Sequence, residues 1–255
     1  MMYDNTQVRN ISNNITVIPA IDLIDGCAVR LSQGDYGRKT TYSKDPAEWA
    51  RRFADHGATW LHLVDLDGAK ASQPVNLKVL EALASIPGLS IEWGGGIKTE
   101  KALHQVSDAG ASRIICGSVA AKSPGLFAEW LEIFGSEKVV LGADVNNGFV
   151  AVSGWLESSP FTVEDLITEF IPSGLSQVIC TDISKDGMLT GPTWEIYKNL
   201  SKSFPQISFT VSGGVASEDD IATAHELGLD RIIVGKALYE GKITLEQLEK
   251  WWRKE

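Results

Sequence analysis

One pattern occurs twice along this chain, in the same order and at nearly the same spacing. Ala20-Ile21-Asp22-Leu23-Ile24-Asp25-Gly26 returns as Ala143-Asp144-Val145-Asn146-Asn147-Gly148. Gly94-Gly95-Gly96-Ile97 returns as Ser212-Gly213-Gly214-Val215, and Gly117-Ser118-Val119-Ala120 as Gly235-Lys236-Ala237-Leu238. The offset is roughly 120 residues each time, so each half carries an aspartate at the end of an apolar run and then two glycine-containing turns. A repeat of half the chain fits two tandem domains or two halves of one closed barrel, and the order of elements decides between them.

Short Val/Ile/Leu-rich runs at 17–21, 60–66, 89–93, 112–116, 138–143, 177–181, 207–212 and 231–234 lack strict alternation, as expected of parallel strands covered on both faces. Helical patterns fill the gaps at 46–56, 74–85, 99–109, 124–134, 163–170, 193–203, 218–227 and 245–254. Asp45-Pro46 and Ser123-Pro124 supply an N-cap followed by proline, and more loosely so does Gly191-Pro192. Ser217 followed by Asp220 resembles a capping box, and Gly57, Gly110 and Gly228 sit where a left-handed C′ residue is wanted. A run at 27–31 after Asp25-Gly26 reads as a small hairpin on the first strand. Eight strand–helix pairs in 255 residues, with only a tight turn at 134–138 between the halves, give an α/β fold: a single (β/α)8 TIM barrel. Its half-barrels run from about 17–137 and 138–255. Residues 1–16 are polar and rich in asparagine, and read as a poorly ordered extension rather than a signal peptide.

Charge and cysteine content narrow the function classes. A net charge of −10 disfavours nucleic acid and acidic membranes as partners, and no run reaches the ~18 apolar residues of a membrane span. Cys27, Cys116 and Cys180 are odd in number and widely spaced, which fits free thiols in a reducing compartment; a cytoplasmic location is expected. The four histidines form no metal-ligand cluster: His56, His104 and His225 fall in helical patterns and His62 inside a strand. No metal and no obligatory protein partner are expected.

In a barrel of this kind the chemistry gathers at the strand C-termini. Gly95 and Gly96 follow strand 3, Gly117 and Ser118 strand 4, Gly213 and Gly214 strand 7, and Gly235 and Lys236 strand 8, opening a short helix through Tyr239. Glycine lets backbone amides approach an anion closely, so two matched sets point to a substrate with a phosphate at each end. Asp22 ends strand 1 and Asp144 ends strand 5, on opposite sides of the mouth, which suits general acid–base catalysis. A further echo, Asp65-Leu66-Asp67-Gly68 against Thr181-Asp182-Ile183-Ser184-Lys185-Asp186-Gly187, is explained by turn formation as readily as by ligand contact. Thr181 and Asp186 are the candidates there for hydrogen-bonding or auxiliary acid–base roles, with Gly187 beside them. Trp155 follows Gly154 outside any periodic apolar pattern and reads as a ligand-facing or lid residue.

From Ile18 to Trp252 these motifs resemble the histidine-biosynthesis isomerase family. The resemblance rests on Ile18-Pro19-Ala20-Ile21-Asp22-Leu23, Gln33-Gly34-Asp35-Tyr36, Leu63-Val64-Asp65-Leu66-Asp67-Gly68-Ala69, Val152-Ser153-Gly154-Trp155 and the 181–187 segment. It implies the Amadori rearrangement of N′-phosphoribosyl-formimino aminoimidazole carboxamide ribotide (ProFAR) to its ribulosyl isomer. Asp22 would be the general base and Asp144 the general acid, and no cofactor would be needed. It further implies that Trp155 stacks on the substrate's imidazole and that the 33–42 segment closes over the site as a loop. Lys98 stands where the family often has arginine, losing the planar bidentate contact. The alternatives are the sister cyclase, a bifunctional isomerase that also takes phosphoribosylanthranilate, and a catalytically silent phosphate-binding barrel.

Overall fold

Eight parallel strands close on themselves in the computed structural model, which describes residues 15–32 and 35–253. They are β1 (Thr16–Ile24), β2 (Trp60–Asp65), β3 (Ser90–Gly94), β4 (Arg113–Cys116), β5 (Val139–Asn146), β6 (Gln177–Asp182), β7 (Ser208–Ser212) and β8 (Arg231–Val234). Each pairs in parallel with the next, and β8 returns to β1 with Thr16 opposite Arg231 and Pro19 opposite Val234. Between them lie the helices Pro46–Asp55, Leu77–Ala84, Glu100–Asp108, Pro124–Phe134, Val163–Phe170, Trp194–Ser203 and Glu218–Glu226, and Leu245–Trp252 follows β8. The fold is the (β/α)8 barrel that the element order implies.

Packing divides into two layers because every strand is covered on both faces. Inside the barrel Ile18, Ala20, Val140, Ile179 and Ile233 meet, with Trp60 and Ile115 against them. Outside, the strands' other faces and the helices form the main core, with Trp93, Trp130, Phe53, Phe127, Phe170 and Phe209 fully buried. The helix ends follow the capping chemistry. The Asp45 carboxylate accepts from the Ala47 amide, and Asp220 Oδ2 accepts from the Ala216 and Ser217 amides at 2.8 and 3.1 Å. Gly57, Gly110 and Gly228 have φ of +107°, +104° and +69°, the left-handed conformation that ends these helices. Ser123 precedes its proline but makes no side-chain cap, and the helix after Gly191-Pro192 begins only at Trp194.

Several elements differ from the sequence expectation. β1 starts at Thr16, and Ile15 is buried under it, so these two residues belong to the barrel; the rest of the expected extension, 1–14, lies outside the described residues. Leu66, expected to end β2, instead opens a short helix, Leu66–Ala71, that Asp65 caps. The following helix begins at Leu77 rather than 74, because Val75 and Asn76 are held by the Asp65 carboxylate. The expected loop at 33–42 is largely strand: Asp35–Ser43 runs back antiparallel along Cys27–Ser32, while 33 and 34 lie outside the described residues. A second hairpin, Phe149–Val152, returns on β5 through Asn147-Gly148. Its turn matches Asp25-Gly26: φ is +51° and +86° in one, +52° and +73° in the other, the two left-handed residues of a tight hairpin.

Candidate active site

Every candidate named from the sequence faces one cleft of about 250 Å³ at the C-terminal end of the strands: Asp22, Asp144, Thr181, Asp186, Gly95, Gly96, Gly117, Ser118, Trp155, Gly187, Gly213, Gly214, Gly235 and Lys236. Their common location follows from strand polarity, since in a parallel barrel all C-terminal ends open on the same side.

The glycine turns are wedged under neighbouring loops. A side chain at Gly95 would place its Cβ 2.2 Å from the Asp65 carbonyl oxygen, and one at Gly96 would meet the Gln73 carbonyl carbon at 2.5 Å. The same arrangement recurs across the mouth, where Gly213 abuts the Asp182 carbonyl and Gly214 the Gly191 carbonyl. All four have φ between +78° and +106°. Close approach of the preceding strand's loop thus requires these glycines independently of any anion. The loops above them are organised by the two echoed aspartates. Fully buried Asp65 accepts from the Gly68, Val75 and Asn76 amides and from Asn76 Nδ2 at 2.7–3.1 Å. Asp182 accepts from the Ser184 amide and hydroxyl and from Thr193 Oγ1. Turn formation is what Asp65 and Asp182 do.

Asp22 and Asp144 occupy opposite walls, four strands apart, with different partners. Arg30, on the strand Cys27–Ser32, bridges two carboxylates: Nη1 donates to Asp22 Oδ2 at 2.9 Å and Nη2 to Asp186 Oδ1 at 2.5 Å. Burial pulls the guanidinium toward neutrality, but the two carboxylates more than offset it and hold it protonated. Burial also raises Asp22 above the usual carboxylate range, against the opposing pull of Arg30. Asp144 is likewise raised by burial, against hydrogen bonds from Trp155 and Thr181. Trp155 Nε1 donates to Asp144 Oδ2 at 2.8 Å. Thr181 lies beside Asp144 in the β5–β6 register.

Trp155 is half-buried rather than a free loop residue, and its segment is fastened at several points. The Ser153 amide donates to Ser118 Oγ at 2.9 Å, and Lys122 Nζ reaches Ser153 Oγ at 2.8 Å and Glu157 at 2.7 Å. Ser153, Gly154 and Trp155 all have positive φ, of +57°, +67° and +70°. Cations flank both glycine sets. Lys98 lines the cleft beside Gly96 and is lowered by burial and then by the nearby Lys122. Lys236 donates to the Gly187 carbonyl at 2.9 Å. It opens the helix Lys236–Tyr239, whose Tyr239 stacks on Tyr42 of the first hairpin.

Sequence reasoning missed Arg30, whose signal is a lone cation inside an otherwise apolar hairpin strand. It also set aside His62 as an ordinary strand histidine. His62 lines the cleft, and its Nδ1 is 2.8 Å from Oε1 of the buried Glu92. The three cysteines are free, and burial pushes the Cys116 thiol up to about 12. Among the described residues no group of three or more metal-ligating side chains is found, and no helix is long and apolar enough to cross a membrane.

The family described as histidine biosynthesis protein matches residues 16–244. The 1-(5-phosphoribosyl)-5-((5-phosphoribosylamino)methylideneamino) imidazole-4-carboxamide isomerase of Cytophaga hutchinsonii is 49% identical over 237 residues, covering 93% of this chain and 99% of the relative. Isomerases of the same name from Flavobacterium psychrophilum and Bacteroides thetaiotaomicron are each 47% identical, over 92% of this chain and 98% of the relative.

Proposed function

This chain belongs to the histidine biosynthesis protein family, and from that premise we propose that it is the aldose–ketose isomerase that converts ProFAR to its ribulosyl isomer. The observation that carries the reading is the pair of buried aspartates on opposite walls, each raised by burial and each given a different partner, between two glycine-lined ends of one cleft. An elongated substrate with two phosphates spans such a cleft. One phosphate lies against Gly95, Gly96, Gly117 and Ser118, with Lys98 near. The other lies against Gly187, Gly213, Gly214, Gly235 and Lys236. Backbone amides and local cations offset the −10 charge of the chain there.

Asp144 is the general acid. Burial disfavours its carboxylate, and in its protonated form it delivers a proton to the ribose ring oxygen, opening the aminoaldose to an imine. Asp22 is the general base: Arg30 favours its charged form, and it takes the proton from C2 of the sugar. The substrate's own nitrogen accepts the electron pair, so the steps are written without a cofactor. Thr181 holds Asp144 by a hydrogen bond, and Asp186 anchors Arg30 from the other side. Trp155 bonds only one oxygen of Asp144, leaving the other to engage substrate, and its indole stacks on the imidazole ring.

The test is conversion of ProFAR by the purified protein without ammonia, followed by absorbance and product identification. Turnover of the ribulosyl compound with ammonia, in the absence of ProFAR isomerisation, would instead assign the cyclase reaction.

A further inference from the structure

Two aspartates account for all but one of the proton transfers in the proposed isomerisation. Asp144 gives its proton to the ring oxygen, and Asp22 takes one from C2 and returns it to C1. The hydroxyl on C2 must then lose its proton as the carbonyl forms, and Asp144 must regain one before the next turnover. Acid and base are reset once that hydroxyl proton, or its equivalent, reaches Asp144, and a third group between the two would carry it without exchange with solvent.

His62 and Glu92 are placed to be that link. Both project from strands whose other interior residues are apolar or small near this level, with Ala20 opposite His62 in register. His62 in β2, Glu92 in β3 and Arg113 in β4 are successive register partners across the sheet. Glu92 is 1% exposed, and its Oε1 lies 2.8 Å from His62 Nδ1. On its other side its register partner is Arg113, and its charge opposes the effect of burial on both Arg113 and Arg231. Arg113 stacks on Trp60, and Arg231 is tied to Gln177. A carboxylate only accepts hydrogen bonds, so the neutral imidazole must donate through Nδ1–H. That leaves the lone pair on Nε2, the ring nitrogen available to the cleft that His62 lines. The ring shares that cleft with Asp22 and Asp144.

We propose that His62 Nε2 accepts the C2 hydroxyl proton as the enolamine becomes the ketone, and passes it to Asp144, with Glu92 as the positioning residue that fixes the ring tautomer. The O–H pair becomes the carbonyl π bond while the C1–C2 π pair takes the proton held by Asp22. Nε2–H forms and then breaks in favour of the Asp144 carboxyl, and no oxidant or reductant is needed. Glu92 supplies the countercharge for the transient imidazolium. The inference rests on the isomerase reading above.

The experiment compares wild type with His62→Asn and Glu92→Gln on substrate deuterated at C2. Loss of an acid–base group lowers kcat by about 10–10²-fold here, at or below the usual range for such groups, with KM changed less than about twofold. The decisive readout is unreacted substrate. In the variants the enolamine reverts before it ketonises, so recovered substrate loses its C2 deuterium to water and the isotope effect on kcat shrinks. A merely structural role would lower the amount of active enzyme and leave the label in place. Intact label with kcat within about twofold of wild type would overturn the relay. Nitrogen-15 NMR of the unliganded protein, with His62→Asn identifying the resonances, reads the tautomer separately from turnover. The expected result is Nδ1–H in wild type and a mixture in Glu92→Gln; Nε2–H in wild type would overturn the geometry. Should ProFAR not be isomerised at all, the kinetic arm fails with the parent reading while the tautomer result still stands or falls alone.

Discussion

Replacing Arg30 by methionine removes the cation that bridges Asp22 and Asp186 while keeping the apolar stem of the side chain. Both contacts are short and all three side chains are at most 15% exposed, so two carboxylates are stranded in a poorly solvated site. Breaking a buried ion pair from one side costs about 3–5 kcal/mol. For a chain of 255 residues each kcal/mol is worth about 2 °C, so the melting temperature falls by roughly 6–10 °C at pH 8. The penalty depends on pH with a definite sign. Asp22 is already raised in the folded protein, and without Arg30 it rises further. A carboxyl whose folded pKa lies above its unfolded one stabilises the fold at low pH and loses that contribution as pH climbs toward the folded value. The difference between variant and wild type is therefore smaller near pH 4 and larger at pH 8. The double variant Arg30→Met/Asp186→Asn recovers part of the lost stability, because one stranded charge is gone, but not activity. Thermal unfolding monitored by circular dichroism at several pH values is the assay. A variant as stable as wild type at pH 8, or a penalty that grows toward low pH, would refute the electrostatic account of this bridge.

Other perturbations have equally direct outcomes. Asp22→Asn and Asp144→Asn each reduce kcat by at least ~10²-fold in steady-state assays while leaving the fold intact. Trp155→Phe removes the hydrogen bond that opposes burial at Asp144, so the alkaline limb of the kcat/KM profile, where the acid loses its proton, moves to higher pH. Gly95→Ala drives a methyl group into the Asp65 carbonyl at a positive φ, and the soluble yield or melting temperature drops sharply even without substrate. Cys116, with its thiol pushed up to about 12, stays unreactive toward a thiol reagent at pH 8 until the protein unfolds.

How much of this was readable in the sequence follows from where each signal resides. The barrel strands were legible because both their faces are covered, which forces continuous apolar runs, and the motifs at their ends marked the cleft. The end of β2 was misplaced because Leu66 belongs to a helix whose cap, Asp65, also grips Val75 and Asn76 about ten residues on. The return strand Asp35–Ser43 escaped notice because the positions from Tyr36 to Thr41 are exposed, so no apolar alternation betrays it. Arg30, His62 and Glu92 were not recognised for a common reason. Each takes its meaning from a partner on another strand, and Arg30 joins Asp186 across 156 positions of sequence. The glycines read as anion turns from sequence, and their contact with Asp65, Gln73, Asp182 and Gly191 is a second requirement that exists only once neighbouring loops are laid over them.

The seam between β8 and β1 has a consequence for how the molecule assembles. Every other strand pair of the barrel joins consecutive strands, whereas this one joins the two ends of the described chain, and Trp252 of the final helix donates to the Val17 carbonyl across 235 positions. Closing so large a loop carries the greatest entropic cost of any pairing in the cylinder. Wherever that pairing is open, β1 and β8 each present an unpaired edge to their surroundings. The family match stops at residue 244, just before the helix Leu245–Trp252. That helix fastens the seam through Trp252, so its removal is expected to loosen the closure of β8 on β1 and to favour edge pairing with neighbours.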